Sequence, residues 1–244
     1  MKKSLFITVF SIAFVYAKAQ TQFYSAVKIE FEKTVAVHAL YKEIEPQWFE
    51  RIKDRLPQNH KSYFDFIADS THSIFKPGRE INEPRNAYQP FANKNVVYTD
   101  FQKDISISQK PIFEETFLVE DSVLNIKWKI TADTRNIAGF ECRKAVGVMF
   151  DTVAVFAFYT DELMISGGPE GIQGLPGMIL GVGIPRLHTT WFATKVQVND
   201  VPISQIQPEK KGKKQNRPGM LQALDKAMKD WDDYGKKLVL ATQI

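Results

Sequence analysis

Hydrophobic and polar residues alternate with a period of two along much of this chain. Between positions 23 and 37 the odd positions are mostly apolar, whereas the even positions include Lys28, Glu30 and Glu32. Successive side chains of a strand point to opposite faces, so this pattern predicts a long strand, Phe23–Val37, with one buried face. Similar alternation or short apolar runs predict further strands at Tyr63–Ala68, Ser73–Lys76, Val96–Phe101, Ile112–Glu120, Val123–Ile130, Ile137–Phe150, Thr152–Thr160 and Thr189–Val198.

The connections between successive strands are short, as at residues 69–71 and near Asp151. Short connections join antiparallel neighbours, whereas parallel strands need crossovers of about a dozen residues or more. We therefore predict a mainly β fold of the α+β class. Its centre is a large, curved, antiparallel sheet that resembles half of a barrel, covered by one short helix and one C-terminal helix.

Two segments carry apolar residues at helical spacing. Pro46–Leu56 begins with a proline, which suits the first position of a helix, and residues 218–244 carry an apolar stripe that includes Met220 and Leu224. A long irregular loop is predicted between Pro77 and Asn95. The predicted organisation is a signal peptide at 1–19, a β domain with a glycine-rich segment at 20–203, a polar basic connector at 204–217 and an amphipathic helix at 218–244.

The beginning of the chain has the pattern of a secretory signal peptide. Lys2 and Lys3 precede an apolar core at Leu5–Tyr16, and the small residues at 17 and 19 predict cleavage before Gln20. The apolar core is shorter than the ~20 residues that a membrane span needs. No cysteine near the cleavage site could carry a lipid. The sequence thus predicts a periplasmic or secreted protein that is not transmembrane after signal removal.

The net charge changes when the signal peptide is set aside. The whole chain of 244 residues carries +4, and loss of Lys2, Lys3 and Lys18 lowers this to +1. A near-neutral chain has no long-range field that would gather nucleic acid, so no nucleic-acid partner is expected. The ~225 remaining residues suffice for one domain with a sizeable core.

Residues for metal, cofactor or catalytic chemistry are sparse in the sequence. Cys142 is the single cysteine, so no intramolecular disulfide can form. The four histidines do not stand at ligand-like spacings, and neither phosphate-loop motif occurs, so no metal and no cofactor are predicted. No catalytic residue is assigned. Whether the protein is an enzyme stays open, with a non-enzymatic role favoured.

Glycine is concentrated in one segment. Seven of the thirteen glycines lie between Gly167 and Gly183, which led us to expect neither an ordinary helix nor an ordinary strand there. Two interpretations stay open: a buried plug that closes one end of the sheet, or an apolar lip over a ligand cavity or docking surface. The second predicts ligand or partner binding by Gly174, Leu175, Pro176, Gly177, Met178, Ile179 and Leu180.

This segment and the residues before it resemble the GLPGLI family, exported proteins of Bacteroidetes-type bacteria whose biochemical role is not settled. The resemblance rests on the order and spacing of residues from Trp128 to Leu180. The matching positions are Trp128, Ile130, Thr134, Ile137, Gly139, Phe140, Cys142, Lys144, Ala145, Ala157, Phe158, Tyr159, Thr160, Gly168, Pro169 and the run 174–180. Among them, Trp128, Cys142, Lys144 and Tyr159 are motif residues whose role the resemblance leaves undefined.

Three functional hypotheses follow. The first is an exported binding or carrier domain for an apolar small molecule or a lipid, favoured by the expected half-barrel and glycine-rich lip. The second is an envelope protein that docks or assembles with another protein. The third is a thiol-dependent enzyme using Cys142 with Lys144 nearby. We expect Cys142 to be a small buried side chain, and Lys144 to reach past the sheet or pair with an acid.

Overall fold

The computed structural model describes residues 24–81, Tyr88 and residues 90–244. Most of the regular structure in these residues is β. The strands are β1 Ala26–Val35, β2 His60–Asp69, β3 His72–Pro77, β4 Val96–Asp100, β5 Ile105–Ile112, β6 Glu115–Ser122, β7 Lys129–Ile137, β8 Phe140–Met149, β9 Val153–Thr160, β10 Met178–Ile184, β11 Thr189–Gln197 and β12 Lys213–Gln215.

The strands form a single twelve-stranded sheet in the order β12-β6-β5-β4-β3-β2-β1-β11-β10-β9-β8-β7. Neighbouring strands are antiparallel, except that β12 runs parallel to β6. The two ends of this order, β12 and β7, do not pair with each other, so the curved sheet stays unclosed. The predicted fold class, mainly β with a large curved antiparallel sheet, is confirmed.

Strand β1 lies in the middle of the sheet, between β2 and β11. Its alternate side chains are buried and define what we call the inner face of the sheet: Val27, Ile29, Phe31, Lys33 and Val35. Four of these five are apolar, as the period-two pattern requires, and Lys33 is the exception. In the register with β11, Lys33 stands directly opposite Trp191.

Four helices accompany the sheet within the described part of the chain: α1 Val37–Ile44, α2 Pro46–Ile52, α3 Arg217–Ala227 and α4 Asp232–Gln243. Helices α1 and α2 form a small core with the end of β1, around Tyr41 and Phe49. Helices α3 and α4 pack Met220, Leu224 and Leu238 against the buried side chains of β5 and β6. The number of covering helices therefore exceeds the two that the sequence predicted.

The C-terminal region forms two helices where the sequence predicted one. Asn216 begins α3, because its side chain accepts a hydrogen bond from the backbone N–H of Gly219 at 2.9 Å. The helix ends at Ala227, and a short break precedes α4 at Asp232. The predicted connector, residues 204–217, contains the short strand β12 beside β6.

The prediction of strand structure up to Val37 is wrong, because Val37 begins α1. The backbone N–H of Ala36 bonds to the carbonyl of His188 at 2.9 Å and ends the strand ladder. Apolar residues then recur at positions 37, 40, 41 and 44, which is the spacing of a helix with one buried side. Here the period of the pattern changes from two to nearly four within one apolar run.

The predicted strand Val123–Ile130 is also wrong, since pairing resumes only at Lys129. The segment crosses a face of the sheet, where a Cβ on Gly147 would lie 2.7 Å from Ile126 and 3.0 Å from Trp128. Its apolar alternation reflects packing on the sheet, not pairing within it. The predicted strand Ile112–Glu120 corresponds to the end of β5, a turn and β6, and the sequence did not predict most of β5.

The remaining strands agree with the sequence apart from their ends. The predicted hairpins correspond to β2 with β3 and β8 with β9, and the last predicted strand corresponds to β11. The predicted signal peptide, residues 1–19, and residues 82–87 and 89 of the predicted loop between Pro77 and Asn95 lie outside the described residues. None of the described helices has the length and apolar character needed to cross a membrane.

Candidate functional site

The glycine-rich segment divides into a turn region and a strand. Gly167 pairs with Met178 in a bridge, and the N–H of Ile179 donates to the carbonyl of Gly167 at 2.9 Å. The second half of the segment is strand β10, between β9 and β11. The expectation that this run could not be an ordinary strand is therefore wrong for Met178–Ile184. Its glycines are accommodated because aromatic side chains of neighbouring strands lie over them.

The seven residues proposed to bind a ligand or partner are mostly interior. Leu175, Gly177, Met178, Ile179 and Leu180 are buried, whereas Gly174 and Pro176 are exposed. Gly174 borders a surface cleft of about 340 Å³ that also touches Tyr24, Phe101 and Met164. Met178, Ile179 and Leu180 belong to β10 within the sheet, whereas Leu175 and Gly177 belong to the turn before it. Ligand or partner binding by this run stays a prediction.

The four motif residues of undefined role occupy different places. The Trp128 indole donates to the carbonyl of Gln173 at 2.9 Å and so holds the turn region of the glycine-rich segment. Tyr159 and Cys142 are buried in the sheet. Lys144 forms an ion pair with Asp133 at 3.3 Å, so the structure does not place its ammonium as an activator of a thiolate.

Glu170 lies in the glycine-rich segment and is buried, although it is an acid. It is part of a short turn, Pro169–Gly171, and its φ of 55° and ψ of 24° are in the left-handed region. A non-glycine residue in this conformation costs about 1 kcal/mol, and such strain is concentrated at functional sites. The carboxylate accepts a hydrogen bond from Asn95 at 3.2 Å through Oε2. Its Oε1 is buried without a hydrogen-bond partner among the described residues.

Two buried lysines lie on the inner face near Glu170. Lys33 donates to the carbonyls of Ala92 at 2.8 Å and Phe91 at 3.3 Å. Lys110, on β5, donates to the main-chain oxygens of Ile244 at 2.6 Å and Thr242 at 2.9 Å, after and at the end of α4. The C-terminal end of a helix is the negative end of its dipole, so it is a favourable place for a buried ammonium.

Burial dominates the titration of these groups. It lowers the pKa of Lys33 and of Lys110 to about 8, and the Glu170 carboxylate opposes both shifts. Burial also raises the pKa of Glu170 above its ordinary value, and the two lysines oppose that rise. The lysine pKa values of about 8 leave both ammonium groups mostly charged at neutral pH.

A cavity opens above this cluster between the inner face, α1 and α4. The enclosed volume is about 50 Å³, which is room for a few water molecules. A ligand that reaches the floor would therefore extend outward through the open mouth of the cavity.

The cavity has a polar floor and apolar walls. Lys33, Glu170 and Trp191 form the floor, and the indole Nε1 of Trp191 is buried without a hydrogen-bond partner among the described residues. The apolar and aromatic wall residues come mainly from α1, α4 and the chain between them: Val35, Leu40, Tyr41, Ile44, Tyr88, Phe91, Leu187, Tyr234, Leu238 and Ala241. This arrangement can hold a molecule that has an apolar body and a polar end.

The sequence patterns did not indicate Lys33, Lys110, Asn95 or Glu170 as site residues. For Lys33 a signal was present, because it is the one charged residue on the odd, inward positions of β1. Glu170 stands between Pro169 and Gly171 in the most unusual segment of the chain, which was a second signal. Within the described residues, no group of three or more histidine, cysteine, aspartate and glutamate side chains could hold a metal ion.

Neither a protein-family model nor a curated protein sequence matches this chain. Solved structures of PNGF-II in space groups P21 and C2 are similar to it, each with 16% identity and a TM-score of 0.49 over 78% of this chain. This chain spans about a third of their length, 32% and 31% respectively. An uncharacterised conserved protein from Thermus thermophilus is 7% identical with a TM-score of 0.38, covering 79% of this chain and 90% of its own. At these TM-scores and identities, the similarities assign no function to the chain.

Proposed function

We propose that this protein is a non-enzymatic binding domain for a small molecule with an apolar body and a polar end. The observation that carries the proposal is the cavity between α1, α4 and the inner face. Its mainly apolar lining includes Glu170 and Trp191, each of which has a buried polar atom without a partner among the described residues. A buried polar group without a hydrogen bond costs about 1–3 kcal/mol, so a ligand that supplies those bonds gains the same amount. The apolar walls supply the rest of the affinity.

A binding role also agrees with how the charged side chains are held. The ammonium groups of Lys33 and Lys110 are each directed at main-chain oxygens, which keep them in place. Cys142, the candidate nucleophile of the enzyme hypothesis, is buried in β8, and its thiol bonds to the carbonyl of Phe140. It is not among the residues that line the cavity.

The test is a calorimetric titration of the full mature chain with two amphiphiles of equal chain length, octanol and octanoate. We expect saturable binding of at least one of them. The variant Ala241→Phe places a ring in the cavity from α4 and should weaken binding at least ~10-fold, because the apolar site is then filled. Ala227→Phe, the same change at an exposed position at the end of α3, should leave binding unchanged.

Absence of binding by either amphiphile would contradict the proposed function. Equal binding by Ala241→Phe and the unchanged protein would also contradict it, since the ligand would then lie elsewhere. Thermal melting of both variants shows whether each is folded at the temperature of the titration.

We further propose that the protein is exported and belongs with the GLPGLI-type proteins that it resembles. Export is supported by the basic residues Lys2 and Lys3, the apolar core Leu5–Tyr16 and the small residues before Gln20. Cell fractionation with N-terminal sequencing tests the first part. We expect an exported chain that begins at Gln20, and a chain that keeps Met1 inside the cell would contradict export.

A further inference from the structure

Three side chains on the cavity floor come from separate parts of the chain and converge. Lys33 on β1 and Trp191 on β11 are directly opposite in the strand register, and the Lys33 ammonium lies 5.3 Å from the centre of the indole ring. Glu170 reaches the same floor from the turn of the glycine-rich segment. All are nearly inaccessible to solvent, with exposed fractions of 3%, 2% and 4% for Lys33, Trp191 and Glu170.

Two cationic side chains and one acidic side chain lie around this floor, and Lys110 also contacts the main-chain oxygen of Ile244, the last residue of the sequence. Lys33 and Lys110 are cations, whereas Glu170 is the one acid that acts on both of them. The other charged residue lining the cavity, Lys237, is paired with Glu43 at 2.6 Å. Two like charges side by side are costly in a low-dielectric interior, so the Lys33 ammonium disfavours a cationic ligand head and attracts an anionic one.

The hydrogen-bonding groups of the floor also favour an acceptor. The Trp191 indole N–H can only donate, and it has no partner among the described residues. An ammonium group has three N–H donors, of which Lys33 directs two at the carbonyls of Phe91 and Ala92. One donor of Lys33 thus remains for a ligand beside the indole N–H. A carboxylate has two oxygens and about four acceptor sites, which is enough for both donors.

We propose that the ligand of this cavity is a monocarboxylate with an apolar tail, its carboxylate bound by the Lys33 ammonium and the Trp191 indole N–H at the floor. This inference rests on the proposed function, because it specifies the polar end of the same ligand. The tail lies against the walls from α1 and α4. Glu170 lies beside the ligand carboxylate.

Two carboxylates side by side repel each other, so Glu170 must be protonated when it lies next to the anionic head of the ligand. Burial raises the pKa of Glu170 above its ordinary value, and an additional anion beside it raises the pKa further. A protonated Glu170 donates a hydrogen bond from its carboxyl group to the ligand, which gives its unpartnered Oε1 a partner. The ligand then receives three donors, from Lys33, Trp191 and Glu170.

The test compares three ligands that share one chain length and differ only in the head: octanoate, octanol and octylamine. Their dissociation constants are measured by calorimetry on the full mature chain near neutral pH. We expect octanoate to bind at least ~10-fold more tightly than octanol, since a hydrogen bond to a charged group is stronger than one to a neutral group. Octylamine should bind most weakly, because its cation meets Lys33.

Two variants locate the head group. Lys33→Met keeps much of the side-chain volume and should remove the preference for octanoate over octanol. Trp191→Phe removes the indole donor and should weaken the binding of octanoate about 5-fold or more, with little effect on the binding of octanol. The matched control is Lys28→Met on the same strand β1, where the lysine pairs with Asp65 at 2.8 Å away from the cavity, and it should change neither affinity.

The outcomes separate this inference from the proposed function. Octanol binding as tightly as octanoate would overturn the carboxylate inference and leave the binding function intact. Tightest binding of octylamine would also overturn it, since Glu170 would then set the preference. Absence of binding by all three ligands would overturn both, and water molecules would be the partners of Trp191 and Glu170. Loss of the preference in Lys28→Met as well as in Lys33→Met would overturn the assignment of Lys33.

Discussion

Gly177 lies so close to Thr160 that a Cβ at position 177 would overlap the carbonyl oxygen of Thr160. Gly177 has a φ of +140°, a backbone conformation that other residues rarely adopt. It stands one residue before β10, where the chain turns into the sheet beside the end of β9. The glycine is therefore required both by its backbone angle and by the space available.

Gly177→Ala should destabilise the protein by about 3 kcal/mol, the sum of a strained backbone and an overpacked contact. Urea unfolding followed by circular dichroism measures this loss. Gly139→Ala is the matched control, because Gly139 also has a positive φ of +91° but nothing within 4 Å of its Cβ position. It should cost only about 1 kcal/mol. Equal losses in the two variants would show that the contact with Thr160 is not decisive.

Stability should increase as the pH rises from about 8 to about 10. Lys33 and Lys110 have pKa values of about 8 in the folded protein and 10.5 ordinarily. In this window the unfolded chain binds more protons than the folded one, so unfolding becomes less favourable as the pH rises. The full effect is about 3 kcal/mol for each lysine. Burial raises the pKa values of Tyr41 and Tyr88 to about 12, so above pH ~10 the unfolded chain loses the tyrosine protons before the folded one does, and stability should fall again. The expected gain is therefore confined to the window between pH ~8 and pH ~10.

Lys33→Met provides the control for this pH dependence. It should be more stable than the unchanged protein at pH ~7, because the cost of burying a charge is removed, and its advantage should shrink towards pH ~10. Urea midpoints across this range measure both curves. A flat or falling curve for the unchanged protein would contradict the buried, charged state of the two lysines.

Cys142 should be inert in the folded protein. Its side chain has no exposed surface, and burial, reinforced by Glu162 and Glu141, raises the pKa of its thiol to about 12. Thiolate is the reactive form, so labelling by a disulfide reagent near pH ~8 should proceed only as fast as the protein unfolds. Urea-unfolded protein, in which one thiol should react at once, is the reference. Rapid labelling of the folded chain would reopen the thiol-enzyme hypothesis.

Trp128→Phe should destabilise the protein by about 1–2 kcal/mol. The substitution removes the indole N–H that donates to the carbonyl of Gln173, which joins the segment before β7 to the glycine-rich segment. Trp48→Phe is the control, since Trp48 is 42% exposed on α2, and it should cost less. The comparison uses urea midpoints at one pH. A larger loss at Trp48 than at Trp128 would contradict this role.

The sequence correctly predicted those strands in which the alternation of apolar residues arises from the burial of one face of a paired strand. In β1 and β11 the apolar positions alternate because one face of the strand is buried and the pairing partners are close. Val123–Ile130 shows the same alternation for another reason, since Ile126 and Trp128 pack on the sheet over Gly147. Pattern alone does not separate these two cases. The prediction for Met178–Ile184 was wrong for the opposite reason. Its glycines are atypical of a strand, but aromatic rings of the neighbouring strands cover them, so the segment pairs within the sheet.

The candidate site could not be predicted from the sequence, and the reason is physical. Period-two alternation is a property of neighbouring residues, and it determined that this chain forms a large sheet with one apolar face. The contact between Asn95 and Ile244 joins residues 149 positions apart, and it depends on the curvature of the sheet and on the helix that covers it. Only the tertiary structure decided that Lys33, Lys110 and Glu170 meet in one buried cluster, because long-range packing brings their charges together.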